Sequence, residues 1–418
     1  MYEADARHRA ATGVRTGLPY ESGRSADGTS IYSTPVASPY WRSAGFGPYQ
    51  QDRGPEEEPV QSGRGPDEEP AQPPLRVIHI GQYLVRAGIE SWLKALLRFA
   101  DPRRLLFERC VVTGPLADPR VIREMPVPIE FGQEASVRRA AQDCDVLLVS
   151  GPAELAGWLG NQRPPLCVFV AHGDGAWSRN LLDRCAPVVD HVVAVSRSVR
   201  ARACGDLPCT VIYNGLDTAH LTRGATRQEV RARFGFAEGD FVLGSVMRLS
   251  GEKRPERLIQ AIARLPRRYK LLLVGWGTMR QKLLNLANDI APLRCAIVAA
   301  EEHLGDFYSA FDAFCLPSES EGFGLATLEA LFCGVPVITS KAGFAPELLV
   351  DRVHYQLCDG SAAEIAVAVE RLAAYPAWAA GLAQEGRRAA EAFGFANRMC
   401  REYEDLLARL WRERACAR

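Results

Sequence analysis

From residue 75 onward, short apolar runs closed by glycine, proline or asparagine alternate with longer stretches whose apolar positions return every three or four residues. The first run is LRVIHIGQYL (75–84), followed by LLFERCVVTG, CDVLLVSG, LCVFVAHG, HVVAVS and CTVIYNG. A second series follows: FVLGSVMRLS, YKLLLVGWG, RCAIVAA, FDAFCLPS and GVPVITS. Near-continuous apolar runs with helical segments between them predict α/β architecture, with two doubly wound parallel sheets. Asn214-Gly215 predicts a turn, and the polar stretch near 218 to 232 predicts a hinge between the halves. The last segment, FANRMCREYEDLLARLWRERA, reads as one amphipathic helix that packs back across the hinge. The expected division is 75–225, 226–395 and a terminal helix in 396–418.

Ahead of residue 75 this pattern is missing. Residues 1–74 are rich in Gly, Ser, Pro, Arg and Glu, and contain a near-duplication, RGPEEEPVQ at 53 and RGPDEEPAQ at 64. Such a segment cannot bury enough apolar surface to offset the entropy of ordering it, so it is expected to be a disordered tail. The rest is long enough for two domains, and 47% apolar content is ample for two cores. The 50 basic and 50 acidic residues cancel, which gives no support to nucleic acid as a partner. The 12 cysteines are scattered, without CxxC pairs or zinc-ligand spacing, so a reducing compartment and structural thiols are expected. The sequence starts without the apolar core of a secretory signal, and no apolar run reaches the roughly 18 residues of a membrane span, so a cytoplasmic location is expected. ESWLKALLRFADPRRLLFER joins Trp92 and Phe99 to Lys94, Arg98, Arg103 and Arg104. That composition suits peripheral contact with anionic lipid at the inner membrane face, but packing on the first sheet is the expected use.

The candidate chemistry concentrates in SESEGFGLATLEALFCGVPVITS (318–340). It reads as a loop after a strand, a helix from about Leu325, and a second strand. In open α/β sheets ligands bind beyond the carboxyl ends of strands, where helix N-termini point N–H groups outward. Gly322 and Gly324 let backbone approach a ligand closely. Glu329 falls on one stripe with Leu325, Leu328 and Phe332, where a carboxylate needs a partner. With Glu321 it could reach hydroxyls of one bound sugar or ribose. In MRLSGEKRPERLIQAI, Arg248 ends a strand and Lys253 stands just before Pro255 opens a helix, a placement that suits a diphosphate. Arg254 and Arg257 read as surface charge. Gly275 and Gly277 form a turn after another strand, and Asp143-Cys144-Asp145 reads as a turn rather than a metal-binding motif.

E-x7-E (Glu321 to Glu329) within PSESEGFGLATLEAL, R-x4-K (Arg248 to Lys253) and VIYNGLD together resemble the retaining GT-B glycosyltransferases of family 4, the glycosyl transferases group 1, over about residues 75 to 415. RAGIESW adds a resemblance to the bacterial enzymes of exopolysaccharide and surface-glycan assembly. The resemblance implies a GT-B fold, with a nucleotide-diphosphate sugar as donor substrate, a glycan or lipid-linked acceptor, retention of anomeric configuration, and neither cofactor nor catalytic metal. It places Arg248 and Lys253 on the donor pyrophosphate. Glu321, with the Gly322, Phe323, Gly324 and Leu325 segment, falls on the donor sugar, and Glu329 on the ribose. Gly275 and Gly277 join the donor site, Gly88 lies near the phosphates and acceptor, and His172 in VAHGDG corresponds to a cleft histidine near the transferred sugar. Two departures stand out: Ala87 where a glycine usually precedes Gly88, and Trp276 where an acidic residue is usual. Alternatives within reach of the same residues are a sucrose-phosphate synthase type with a soluble phosphorylated acceptor, and a non-catalytic sugar-nucleotide-binding subunit.

Overall fold

The computed structural model describes residues 30–32, 73–85, 87–299 and 303–416. Two sheets account for the two series of apolar runs. The first contains β1 (Ser30–Tyr32), β2 (Leu75–Gly81), β3 (Leu105–Val112), β4 (Ile129–Phe131), β5 (Val146–Val149), β6 (Leu166–Ala171), β7 (His191–Ala194) and β8 (Cys209–Val211). Its spatial order is β1-β4-β3-β2-β5-β6-β7-β8. The second holds β9 (Phe241–Val246), β10 (Tyr269–Val274), β11 (Cys295–Val298), β12 (Ala313–Leu316), β13 (Val337–Thr339) and β14 (Gln356–Leu357), in the order β11-β10-β9-β12-β13-β14. Within both sheets all pairs are parallel except β1 with β4. Helices cover both faces, so β5 and β6 are buried at every position. That explains runs such as VLLV and LCVFVA in place of an alternating pattern.

The expected tail, 1–74, lies outside the described residues apart from Ser30–Tyr32 and residues 73–74. The pairing of Ser30–Tyr32 with β4 adds an edge strand that the composition gave no reason to expect. In each sheet the strand order reverses once among the parallel strands, beside β2 and β5 in the first and beside β9 and β12 in the second. Reversal leaves a crevice at the carboxyl ends of those strands, so the topology offers one ligand-binding edge per domain.

The polar stretch expected to be a hinge is only partly one. Thr226 and Glu229 form a reciprocal capping box that starts a helix at Arg227–Arg233. Arg231 Nε donates to Ala310 O at 2.9 Å, and Arg231 also pairs with Asp312, which fastens this helix to the second domain. The chain crosses between domains just before it, and crosses back where Leu216 N donates to Gly394 O (2.7 Å) and Ala396 N to Leu216 O (3.2 Å). The terminal helix, Ala396–Cys416, then packs on the helix Gly88–Phe99 of the first domain.

In that first helix Trp92, Leu93 and Leu96 are buried, while its neighbouring cations are spent on acids of the protein itself. Lys94 pairs with Glu124, Arg98 with Asp217, Arg103 with Asp101, and Arg104 with Glu404 and Asp405. The packing expected of this segment is made by Trp92, Leu93 and Leu96. Among the described residues no helix is long and apolar enough to cross a membrane.

Candidate active site

Beyond the carboxyl end of β9 the chain runs through Arg248 into a single tight turn, Gly251–Lys253. Beyond β12 it runs through Ser318 to Gly324, and Glu319 N donates to Glu252 O at 2.9 Å to tie the two loops together. At their junction Lys253 Nζ lies 2.8 Å from Glu321 Oε1. Ser318 Oγ donates to the same oxygen at 2.7 Å, and Lys253 Nζ donates to Ser320 O at 3.4 Å. The Lys253 and Glu321 side chains are only 17% and 10% exposed, so little water screens the pair. Arg248 is arranged differently. Its side chain is 56% exposed and donates to Glu252 Oε1 at 2.6 Å. An exposed pair four residues apart holds its cation by only about 0.3–0.5 kcal/mol, so an anionic ligand competes for Arg248 readily.

Glu329 sits in the helix Leu325–Phe332, where every residue except Ala326 is buried. The expected single apolar stripe is thus a helix enclosed on nearly all sides. Its carboxylate has its partners within the fold: His220 Nε2 donates to Oε1 at 3.1 Å and Tyr308 OH to Oε2 at 2.6 Å. Burial opposes a charge on His220, but the Glu329 carboxylate and Asp217 outweigh it and raise the imidazole above its ordinary value. Burial, and then Glu329, hold Tyr308 well above the usual phenol range, so it remains a donor. Each carboxylate oxygen keeps a second lone pair for a ligand hydroxyl.

The first domain contributes the loop after β6. There the backbone of His172 meets the second domain: a Cβ on Gly322 would stand 1.8 Å from His172 O. Asp174 accepts from Ser320 Oγ across the same gap, and also from Ser198 Oγ and Arg202 Nη1, each at 3.1 Å. Glu347 makes a second bridge, accepting from Arg197 N (2.8 Å), Ser198 N (2.9 Å) and Tyr213 OH (3.0 Å). Gly88 reaches the cleft as well, since a Cβ there would lie 3.5 Å from Leu325 Cδ1. His172 Nε2 is buried without a partner. Its ring packs edge-on against Trp92 at 4.6 Å, and burial with nearby His79 lowers its pKa to about 3. The imidazole is therefore neutral at ordinary pH, with an uncommitted ring nitrogen buried beside Trp92.

Of the expected residues, the structure gathers Lys253, Glu321, Gly322, Gly88, Leu325 and the His172 backbone around one crevice. Phe323 stacks on Phe344 at 4.7 Å, and Gly324, with φ of 92°, caps the helix that carries Glu329. Gly275 and Gly277 serve close backbone packing, for Cβ atoms there would stand 1.8 Å from Met247 O and 2.3 Å from Leu249 O. Arg257, read as surface charge, donates to Gly360 O at 2.9 Å, and Arg254 pairs with Glu319. Asp143, expected in a turn, instead ends the helix Glu134–Asp143 and pairs with Arg109, while Asp145 leads into β5 and accepts from Arg76 N. Asp174, Ser320, Glu347, His220 and Tyr308 were missed. Asp174, inside HGDG, and Ser320, inside SESEGFG, had a local glycine signal.

Residues 75–220 match the family described as Glycosyltransferase Family 4, and residues 226–389 match Glycosyl transferases group 1. A GDP-mannose-dependent alpha-(1-6)-phosphatidylinositol monomannoside mannosyltransferase of Mycolicibacterium smegmatis is 30% identical over 53% of this chain and 64% of its own length. A D-inositol 3-phosphate glycosyltransferase of Nocardiopsis dassonvillei is 32% identical over 45% of this chain and 47% of its own. The chain thus spans less than two thirds of these curated relatives. In fold it is similar to the Anabaena protein Alr3699/HepE in complex with UDP-glucose, with a TM-score of 0.69 at 21% identity over 80% of this chain and 99% of that one. A sucrose-phosphate synthase from Thermosynechococcus elongatus gives 0.66 at 18% identity, over 81% and 100%. The two Rossmann-like domains are those of the GT-B fold.

Proposed function

We propose, for a GT-B chain whose two domains match glycosyltransferase family 4 and the glycosyl transferases group 1 in turn, that it transfers a sugar from a nucleoside-diphosphate donor to a glycan or lipid-linked acceptor, with retention at the anomeric carbon. One observation carries the reading: loops from both domains meet at His172–Gly322 and Asp174–Ser320, beside the largely buried Lys253–Glu321 pair.

Lys253 and the weakly held Arg248 neutralise the departing diphosphate, Glu321 with the 322–325 backbone orients the donor sugar, and Glu329 takes the ribose while His220 and Tyr308 hold it in place. Gly275 and Gly277 shape the turn beside the nucleotide, Gly88 keeps the helix start clear for phosphate, and the neutral His172 faces the transferred sugar. Catalysis is then mainly charge stabilisation and orientation. The acceptor attacks from the side the diphosphate leaves, so no protein nucleophile is assigned. Because two cations supply the charge at the leaving group, no metal is assigned a role, and turnover is expected to survive EDTA.

The test is a panel of UDP-, GDP-, ADP- and TDP-sugars, read first by thermal shift and then by release of nucleotide with acceptor present. One donor should raise the melting temperature by mass action and be turned over. Binding without release would point to a non-catalytic subunit, and no shift with any donor would remove the proposal. A second reading, transfer to a soluble phosphorylated acceptor, is favoured by the names of the inositol-phosphate relative and the sucrose-phosphate synthase neighbour. Acceptors with and without phosphate, and with and without a lipid anchor, separate the two.

A further inference from the structure

At the edge of the first sheet the helix Arg197–Ala203 ends in Cys204. Gly205, at φ 58°, reverses the chain, and Cys209 opens β8. The reversal brings Cys204 Sγ and Cys209 Sγ to 2.9 Å, inside the roughly 3.5–4.0 Å at which non-bonded carbon atoms rest and short of the about 2.0 Å of a disulfide bond.

Both thiols line a cavity of about 450 Å³, with Arg197, Arg200, Ala201, Gly205, Leu207 and Pro208. Arg179 lies over the same turn, its Nη2 3.0 Å from where a Gly205 Cβ would be. The hydrogen bond between the two thiols and the charge of Arg200 lower the pKa of Cys209 despite its burial, while the same bond raises that of Cys204. A thiolate in an electropositive and partly open setting is the form that attacks disulfides. Cys315 and Cys358, a second pair of neighbouring thiols among the described residues, are both buried within the second domain.

We infer that Cys204 and Cys209 are a modification site: a dithiol that closes to an intrachain disulfide by exchange with a low-molecular-weight disulfide bearing carboxylates, docked in the cavity against Arg197 and Arg200. Cys209 thiolate attacks one sulfur of the docked disulfide, forming a mixed disulfide and releasing the first thiolate. Cys204 gives up its proton to solvent and attacks Cys209 sulfur, closing the protein disulfide and releasing the second thiolate. Two protein thiols are oxidised and one small disulfide is reduced to two thiols, so the step balances. The inference is independent of the transferase reading.

Reduced full-length protein is treated with oxidised glutathione, quenched in acid, alkylated and mapped by mass spectrometry. The segment holding both cysteines should lose both alkylation sites and weigh two hydrogens less than its reduced form, with recovery on dithiothreitol. Cys204→Ser should trap glutathione on Cys209, and Arg200→Ala should slow closure several-fold at low salt. If Cys204→Ser does not fold, the wild-type time course carries the same information, with a transient adduct at Cys209 preceding closure. Full alkylation of both cysteines while the exposed Cys416 has reacted overturns the inference. Closure by hydrogen peroxide but not by oxidised glutathione also overturns it, because the cationic cavity would then play no part.

Discussion

Lys253 and Glu321 are within 2.8 Å of one another and mostly shielded from water, so removing either leaves an opposite charge stranded. Lys253→Ala is expected to lower turnover about a hundredfold, the loss of roughly 3 kcal/mol of leaving-group stabilisation. Breaking such a pair also costs stability, about 3–5 kcal/mol when fully buried, so rates must be measured well below the variant's melting temperature. Unchanged turnover with the true donor would remove Lys253 from the chemistry. Glu90, in the first turn of the helix Gly88–Phe99, makes a different prediction. Burial pushes its carboxyl from 4.5 up to about 7, despite the hydrogen bond from Val85 N and the charge of Lys94. Between those values the folded protein keeps a proton that the unfolded chain has released, so stability falls as pH rises through the window and levels off above it. Glu90→Gln should match the wild type near pH 4 and exceed it near pH 8 by on the order of 3 kcal/mol. His79 and His172, held neutral with pKa near 3, act in the opposite sense at acid pH, so the difference between the two proteins is the readout; parallel melting curves across the range would refute the burial argument. Sequence carried Lys253 and Glu321 because each stands in its own motif, Lys253 at R-x4-K after one strand and Glu321 at E-x7-E after another. It did not carry His220 or Tyr308, which reach Glu329 only after the two domains and their linker have folded.

At the scale of elements, the βαβ unit from β12 through Leu325–Phe332 to β13 was legible because a glycine-rich loop, a leucine-rich helix and a β-branched run follow each other in the chain. Its glycines were legible as necessary, but for a different reason from the one the spacing suggests. Gly322 is needed where one domain's loop presses on another's carbonyl, and no local pattern can announce a contact with residue 172. Gly322→Ala puts a Cβ 1.8 Å from His172 O, which only separation of the loops relieves. Misplacement of reacting groups by about 1 Å costs on the order of a hundredfold, so this variant should lose turnover to that extent and still show the nucleotide thermal shift, because Arg248, Lys253, Glu321 and Glu329 share one domain. Gly381→Ala is the control: nothing lies within 4 Å of that Cβ, the residue is inside the helix Pro376–Phe393, and about 1 kcal/mol of helix propensity should be gained. Wild-type turnover in Gly322→Ala would mean that the two loops do not need to meet.

For the whole molecule, the terminal helix decides whether the two domains behave as one object. It begins beside the second domain's last helix and then lays Met399, Cys400, Tyr403, Leu406 and Leu407, each at most 4% exposed, on the first domain. Trp92 packs against Tyr403 at 5.9 Å, Asp101 N and Arg104 both donate to Glu404 at 2.9 Å, and Arg414 reaches Asp190. Burying large apolar side chains contributes about 1.5–3 kcal/mol each, so the helix supplies an amount comparable to the about 5–15 kcal/mol that keeps a whole domain folded. A chain ending at Phe395 should therefore lose the first domain's cooperative transition in calorimetry. The second domain should keep its own transition, together with the shift caused by the donor nucleotide, since Lys253, Glu321 and Glu329 all lie before the cut. Two intact transitions in the shortened chain would show that each domain has a sufficient core alone, and would reduce the returning helix to a tether. Loss of both would mean that the crossing at Leu216 and Gly394 joins the domains into a single cooperative unit, in which donor binding and the packing around Trp92 cannot be varied separately.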